Sequence, residues 1–346
     1  MAKGRLTPLL KKLVFSSITL IAMFVLVEVG LRVSGFEKPT RIEAMQFTFP
    51  LDDYNAQSEQ PYLQRDPLLF WKPVPGVMGH NTHGTRGPEF QIPKPEGLFR
   101  VVAVGDSCTH FGTIPYPRLL ERLLQEIAPG RFEVVNAGVI GFTSHQGLTR
   151  MKTDVARWEP DLVTAYFGWN DHWLARGLRD SAQRTHPSLA RRLHDAFGGL
   201  RFYQLLVWGV QSTMVASAPE YRVSLDEYSF NLTEIAEAAE ELGAEIWFIT
   251  APHALDLGIP GYLEGSGEVD DSTTLVALHR SYNERVRQTA AKLQVPLLDL
   301  EREFDARDKR PLFVDDHIHL SAAGRVLAAR LLFAKMVERN LVSDER

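Results

Sequence analysis

Val101-Val102-Ala103-Val104-Gly105-Asp106-Ser107 is an apolar run that stops abruptly in Gly-Asp-Ser. A short apolar run closed by turn residues reads as a buried strand. Two more runs of the same kind follow. Phe132-Glu133-Val134-Val135-Asn136 leads into Ala137-Gly138-Val139-Ile140-Gly141-Phe142-Thr143, and Leu162-Val163-Thr164-Ala165-Tyr166-Phe167 leads into Gly168-Trp169-Asn170-Asp171. Glu245 to Thr250 and Val295 to Leu300 read as a fourth and a fifth strand. Helical patterns alternate with these strands. Leu119, Leu120, Leu123, Leu124 and Ile127 recur at helical spacing after Pro115-Tyr116-Pro117, and Gln146 to Trp158 reads as a helix ended by Pro160. Leu225 to Leu242 is stopped by Gly243, and Thr273 to Leu293 is a further helix. Ser321 caps a last one, whose apolar face holds Val326, Leu327, Leu331 and Leu332. Such alternation implies an α/β fold, a three-layer α/β/α sandwich built on a five-stranded parallel sheet.

Open parallel sheets bind their ligands outside the carboxyl ends of the strands, which is where Ser107 is expected. Helical crossovers bring the ends of the first three strands side by side. Near the other end of the chain, Asp316-His317-Ile318-His319 precedes the amphipathic C-terminal helix. A serine hydroxyl is a weak nucleophile until a base takes its proton, and the base needs a carboxylate to orient it. Ser107, an Asp and a His from the late loop supply those parts. A glycine at a strand end lets a backbone N–H approach a reacting carbonyl closely, and an asparagine offers a side-chain NH₂ as a second oxyanion donor. Gly-Asp-Ser alone is common in ordinary turns; the two further strand ends are what point to a site.

On these residues the chain resembles the SGNH (GDSL-type) hydrolase family. Four family blocks occur in order: Gly105-Asp106-Ser107-Cys108-Thr109, the run from Asn136 to Gly141, Gly168-Trp169-Asn170-Asp171, and Asp316-His317-Ile318-His319 with Gly324 beyond. The resemblance covers residues 98–341 and implies an SGNH-hydrolase, flavodoxin-like fold. It implies Ser107 as nucleophile, His319 as base and Asp316 as the carboxylate behind it. The oxyanion hole would comprise the backbone N–H groups of Ser107 and Gly141 and the side chain of Asn170. Gly138 is a second candidate, but the Asn-x-x-x-x-Gly spacing favours Gly141. His317 competes with His319, and family spacing favours His319. One departure is Trp169, which stands where the family usually has a small residue and bears on the breadth of the acyl pocket. The family chemistry calls for no cofactor and no metal.

Composition is compatible with this reading. A chain of 346 residues holds one large domain plus an appendage, and its formal charge of −5 argues against a nucleic-acid partner. The single cysteine, Cys108, excludes an intrachain disulfide framework. The sequence offers no Cys/His cluster with zinc spacing and no Gly-rich phosphate loop before a helix.

The N-terminus carries a second signal. Lys3, Arg5, Lys11 and Lys12 precede Leu13 to Val27, an apolar run that reaches about 20 residues with Val29, Gly30, Leu31 and Val33, the length needed to span a bilayer. The basic flank 1–12 is expected in the cytoplasm, 13–34 as a transmembrane signal anchor, and the remainder outside the membrane. A cleaved signal ending near Val33-Ser34-Gly35 and a buried soluble helix are the alternatives. Glu28 and Arg32 lie four apart on one helical face, positioned to pair near the outer interface.

Residues 35–98, rich in Pro, Asn, Gln and isolated aromatics such as Phe47, Phe49, Tyr54, Tyr62, Phe70 and Trp71, read as an irregular spacer whose aromatics fill surface grooves of the catalytic domain at 99–341. A sharper reading puts Arg86 or His83 in a substrate cleft. The segment 172–224 reads as a helical insertion carrying Arg176, Arg179, Arg184, Arg191, Arg192 and Arg201. It is either a lid or platform for acidic glycans or anionic headgroups, or a solvated basic face. Asp106 is expected to hold the Ser107 turn, Cys108 to be a buried thiol, and His110, His145 and His172 to be solvated loop residues. Asn231-Leu232-Thr233 is a glycosylation sequon inside a predicted helix. The expected protein is a membrane-anchored serine esterase acting on an acylated small molecule, glycan or lipid. An O-acyltransferase acting on an envelope polysaccharide is one alternative, and a non-catalytic glycan-binding member of the fold is another.

Overall fold

The computed structural model describes residues 8–38, 55–56, 60–175, 179–183, 196–214, 220–266, 269 and 271–342. The chain divides into two compact units. Met1–Gln46 joins His186–Ala218 in the smaller, and Phe47–Thr185 joins Pro219–Arg346 in the larger. The strands are β1 Leu63–Asp66, β2 Phe70–Pro73, β3 Phe99–Gly105, β4 Phe132–Gly138, β5 Leu162–Tyr166, β6 Glu245–Ile249 and β7 Leu297–Leu298. The helices are α1 Pro8–Val33, α2 Ser107–His110, α3 Tyr116–Ile127, α4 Ser144–Thr153, α5 Arg201–Met214, α6 Leu225–Glu241, α7 Gly261–Gly265, α8 Leu275–Leu293, α9 Leu300–Asp305 and α10 Ala322–Glu338.

In the larger unit, five parallel strands form one sheet in the order β4-β3-β5-β6-β7. Counted within the sheet this is the doubly wound order 2-1-3-4-5, whose direction of winding reverses between β3 and β5. The register places Gly105, the last residue of β3, beside Gly138 of β4 and Tyr166 of β5. Side chains alternate across β3, and both faces are covered. Val101 joins a core with Leu120 and Leu124 of α3 and Leu332 and Met336 of α10. Val102 and Val104 join the opposite core with Leu232 and Ile235 of α6 and Tyr282 and Val286 of α8. Burial on both faces is why these strands read as unbroken apolar runs rather than as alternating ones.

Local chemistry moves several boundaries from their expected places. Helix α4 begins two residues before Gln146, because Thr143 and Gln146 form a capping box. It ends at Thr153, with Val155–Arg157 as a separate 3₁₀ turn. Strand β7 is only two residues long, since Asp299 turns from strand to cap and accepts the Arg302 N–H at the start of α9. Ser321 caps α10 by accepting the Gly324 N–H.

The expectation for the spacer needs correction. β1 and β2 pair as an antiparallel hairpin, and Tyr62, Leu63, Leu69, Phe70, Trp71 and Phe90 belong to the same core as Val102 and Val104. Trp71 is 1% exposed, and its indole N–H donates to the Ile140 carbonyl at 2.8 Å. Trp71 covers the loop that follows β4, Tyr62 packs against His110 and Phe90 against Trp158, so these aromatics are core residues rather than groove fillers. Phe47, Phe49 and Tyr54 lie outside the described residues.

The smaller unit contains α1 and α5. Val14–Val33 is long and apolar enough to cross a membrane, and its large side chains are mostly exposed. Of the arginines expected on the insertion, Arg176, Arg184, Arg191 and Arg192 lie outside the described residues. Arg179 pairs with Glu227 and Arg201 with Glu37.

Candidate active site

The turn out of β3 is possible because residue 105 is glycine. A Cβ there would overlap the Thr109 hydroxyl and crowd the Tyr166 carbonyl. Asp106 then starts α2: its Oδ1 accepts the Cys108 N–H at 2.8 Å, and its carbonyl accepts the His110 N–H. Ser107 is therefore the first residue of a one-turn helix at the carboxyl end of the strand. Its Oγ lies 2.8 Å from His319 Nε2.

His319 comes from the loop before α10. Asp316 Oδ1 accepts the N–H groups of Ile318 and His319, at 2.9 and 2.8 Å, and Oδ2 lies 2.6 Å from His319 Nδ1. A carboxylate only accepts, so Nδ1 carries the proton and Nε2 is left free to accept from Ser107. Burial alone would raise the Asp316 carboxyl, but the hydrogen bonds and the nearby charge of His319 outweigh it and hold the group below the ordinary carboxylate range. His317 adopts a φ of 60° and places Nδ1 2.6 Å from the Gly258 carbonyl, away from this relay.

The two neighbouring strand ends supply the remaining candidates. Gly141 has a φ of 76°, a conformation that favours glycine. Its N–H has no partner among the described residues, whereas the Gly138 N–H is held by Asn136 Oδ1 at 3.0 Å. Asn170 donates one side-chain hydrogen to the Phe142 carbonyl at 3.0 Å, next to Gly141, and keeps the other. Asp171 ties these loops together, accepting from Ser144 N at 2.9 Å, Ser144 Oγ at 2.6 Å and Gly168 N at 3.1 Å.

Several supporting residues escape a reading of the sequence. Arg222, 2% exposed, donates to the Gly141 carbonyl at 2.8 Å and to Gln146 at 3.1 Å, and pairs with buried Asp180 at 2.9 Å. Asp180 also accepts from Thr143 at 2.7 Å. Behind Gly138, Arg86 donates to the Tyr62 hydroxyl at 3.2 Å, Tyr62 reaches His110 Nε2 at 2.5 Å, and His110 Nδ1 donates to the Gly138 carbonyl at 2.9 Å. Arg86 is thus engaged in backing the Gly138 loop, whereas His83 bonds the Phe90 carbonyl at 3.1 Å within its own segment.

His110 and His172 are buried, contrary to the solvated loop positions expected of them. Burial pushes His110 down to about 3 and lowers His172, so both are neutral hydrogen-bonding groups. His145 is half-buried and stacks on Phe70. His279 donates from Nε2 to the Ala251 carbonyl, accepts His172 at 2.9 Å and stacks on Trp169, whose side chain is buried in the core. Burial and the nearby Asp106 raise the Cys108 thiol, leaving it unreactive. Asn231 of the sequon is buried and bonded to Ser144 Oγ at 2.9 Å. Among the described residues, no group of three or more His, Cys, Asp or Glu side chains is arranged to hold a metal ion.

Comparison with known proteins gives the class. Residues 103–327 match the model of the GDSL-like lipase/acylhydrolase family, and the chain belongs to that family. Similar solved structures include a lipase/acylhydrolase from Enterococcus faecalis, with 18% identity, a TM-score of 0.47, and coverage of 70% of this chain and 97% of that one. Axe2, an acetylxylan esterase from Geobacillus stearothermophilus, has 21% identity, a TM-score of 0.45, and coverage of 69% and 94%. A putative GDSL-like lipase from Parabacteroides merdae has 15% identity, a TM-score of 0.47, and coverage of 72% and 99%. No curated protein sequence matches the chain.

Proposed function

We propose that this chain is a serine esterase held at a membrane by α1, with Ser107, His319 and Asp316 as its triad. One observation carries the reading: Ser107 Oγ, His319 Nε2, His319 Nδ1 and Asp316 Oδ2 form an unbroken hydrogen-bonded line of 2.8 and 2.6 Å. His319 takes the Ser107 proton as Oγ attacks the ester carbonyl, and returns it to the departing alcohol as the tetrahedral adduct collapses to an acyl-enzyme. Water, activated by the same imidazole, then releases the acid. Asp316 holds the tautomer and stabilises the imidazolium. The Ser107 and Gly141 N–H groups and the free Asn170 hydrogen receive the oxyanion, a task worth about 3 kcal/mol of barrier per donor. The substrate is an acylated small molecule, glycan or lipid.

Ser107→Ala tests this reading directly. It should abolish hydrolysis of a short-chain aryl ester and prevent labelling by a serine-directed phosphonate, with the fold intact by circular dichroism. Labelling that persisted in the variant would move the nucleophile elsewhere. For topology, the basic flank of α1 supports a cytoplasmic N-terminus with the catalytic domain on the other side. A reporter active only outside the cytoplasm, fused after residue 40, should be active, and the full chain should stay in the membrane fraction after an alkaline wash. A reporter active only in the cytoplasm would reverse the orientation.

A further inference from the structure

Glu28 is the one acidic residue in the apolar stretch of α1, and the smaller unit shows what it does. Its carboxylate accepts the backbone N–H groups of Arg201 and Phe202, at 3.0 and 2.9 Å, and the Arg32 guanidinium at 2.8 Å. The first two donors are first-turn backbone amides of α5, so a side chain of one helix caps another more than 170 residues away in sequence. Arg32 reaches on to the Gly199 carbonyl at 3.0 Å, and Gln204 accepts the Lys38 N–H at 3.3 Å. Phe24 packs edge-on against Phe202 with ring centroids 5.3 Å apart, and Phe36 against Trp208 at 6.4 Å. Helix α5 is therefore clamped beside the C-terminal end of α1, from Phe24 to beyond its last turn.

The composition of α5 suits that position. No Asp, Glu, Lys or Arg follows Arg201 before Met214, and Phe202, Leu206 and Val210 recur at i, i+4 on one face. Leu206 and Val210 are 53% and 54% exposed, which leaves a bare apolar stripe continuous with the Phe24 contact and hence with the exposed apolar surface of α1. At 14 residues the helix is about 21 Å long, too short for a hydrocarbon core of about 30 Å. Trp208, whose ring packs edge-on against Phe36, is an amphipathic aromatic of the kind that membrane–water boundaries favour.

We infer that α5 is a second membrane element, inserted through its Leu206/Val210 face into the acyl chains of the leaflet that α1 enters last, and locked there by Glu28. This rests on the reading of α1 as an uncleaved anchor. Three hydrogen bonds to Glu28 leave its carboxylate satisfied, so the charge is tolerable beside lipid.

Nitroxide labels report the depth of each position in full-length protein reconstituted into phosphatidylcholine vesicles. Cys108 is the sole native cysteine and is buried, so labels introduced at Leu206→Cys, Val210→Cys and Val25→Cys are selective. Oxygen concentrates in the bilayer and a nickel chelate stays in water. The ratio of their collision rates should be severalfold higher at positions 206 and 210 than at an Arg302→Cys label, approaching the value at position 25. Water-like ratios at 206 and 210 with a lipid-like ratio at 25 would overturn the inference and leave the anchor standing. A water-like ratio at all three would overturn the anchor reading as well. Glu28→Ala should return positions 206 and 210 to water-like values without moving position 25; unchanged ratios there would overturn the lock.

Discussion

Asp316 holds His319 at both ends of the residue: Oδ1 accepts the His319 backbone N–H at 2.8 Å while Oδ2 meets the ring Nδ1 at 2.6 Å. One carboxylate thus shapes the loop and sets the imidazole tautomer. Asp316→Asn keeps the backbone contact through its amide oxygen but presents an NH₂ to Nδ1, which then has to become the acceptor. Nε2 is protonated in that tautomer and can no longer accept from Ser107. The variant should fold and bind substrate normally while kcat falls by about 10⁴. A loss confined to KM would contradict the tautomer argument.

The two histidines of the loop should behave very differently. His319→Ala should lose about as much kcat as Ser107→Ala, on the order of 10⁵–10⁶-fold, because base and nucleophile act as one unit. His317→Ala removes a hydrogen bond to the Gly258 carbonyl and should cost stability more than turnover. Parallel measurement of kcat and thermal midpoint for both variants separates the roles. A turnover loss at His317 equal to that at His319 would put the loop one step out of register.

Much of this arrangement was legible because its signals are local. β3, β4 and β5 are buried on both faces, so each is a plain apolar run, and the residues that carry the chemistry follow within a few positions of each strand end. The Asp316-x-x-His319 spacing is likewise a single turn. What could not be read depends on contacts between distant segments. Nothing near Arg222 or Asp180 announces that they meet across 42 positions to hold the Gly141 loop. The isolated aromatics around Trp71 carry no periodicity that distinguishes a core plug from a surface residue. His110 and His172 sit in loops by sequence, and only the packing over the strand ends buries them. The spacing of Glu28 and Arg32 shows that they pair, but nothing near them announces that the start of α5 rests on the same carboxylate.

If Asn170 supplies an oxyanion donor, its loss should be felt in kcat rather than in KM. Asn170→Ala leaves Ser107, His319 and Asp316 untouched, and should lower kcat by about 10²–10³ with little change in KM. The same substitution frees the Phe142 carbonyl, so a modest loss of stability, about 1 kcal/mol, accompanies it. Asn170→Asp should be worse for catalysis, since it places an acceptor where the developing negative charge needs a donor. If Asn170→Ala left kcat unchanged, Asn170 would be a loop brace and nothing more.

Asp106 gives a pH-dependent prediction with a definite sign. The residue is fully buried, Oδ1 accepts the Cys108 N–H, and Oδ2 has no partner among the described residues. Burial pushes the carboxyl up to about 6, against the Cys108 bond, which favours the ionised form. A folded-state value raised above the unfolded one means that the native protein binds this proton more tightly. The stabilisation it brings is complete below the ordinary carboxylate range and is lost as the pH rises through about 6. Asp106→Asn keeps the acceptor for Cys108 and carries no charge at any pH, so it mimics the protonated acid. Wild type and variant should therefore unfold alike near the unfolded carboxylate value. The variant should gain ground between about pH 4 and pH 7, to a lead of roughly 2–3 kcal/mol above it. Denaturant titrations of both proteins at pH 4.5 and pH 8, as rough brackets of that window, measure the difference. A lead that failed to grow with pH, or that grew toward acid, would mean that Asp106 stays ionised beside the nucleophile throughout.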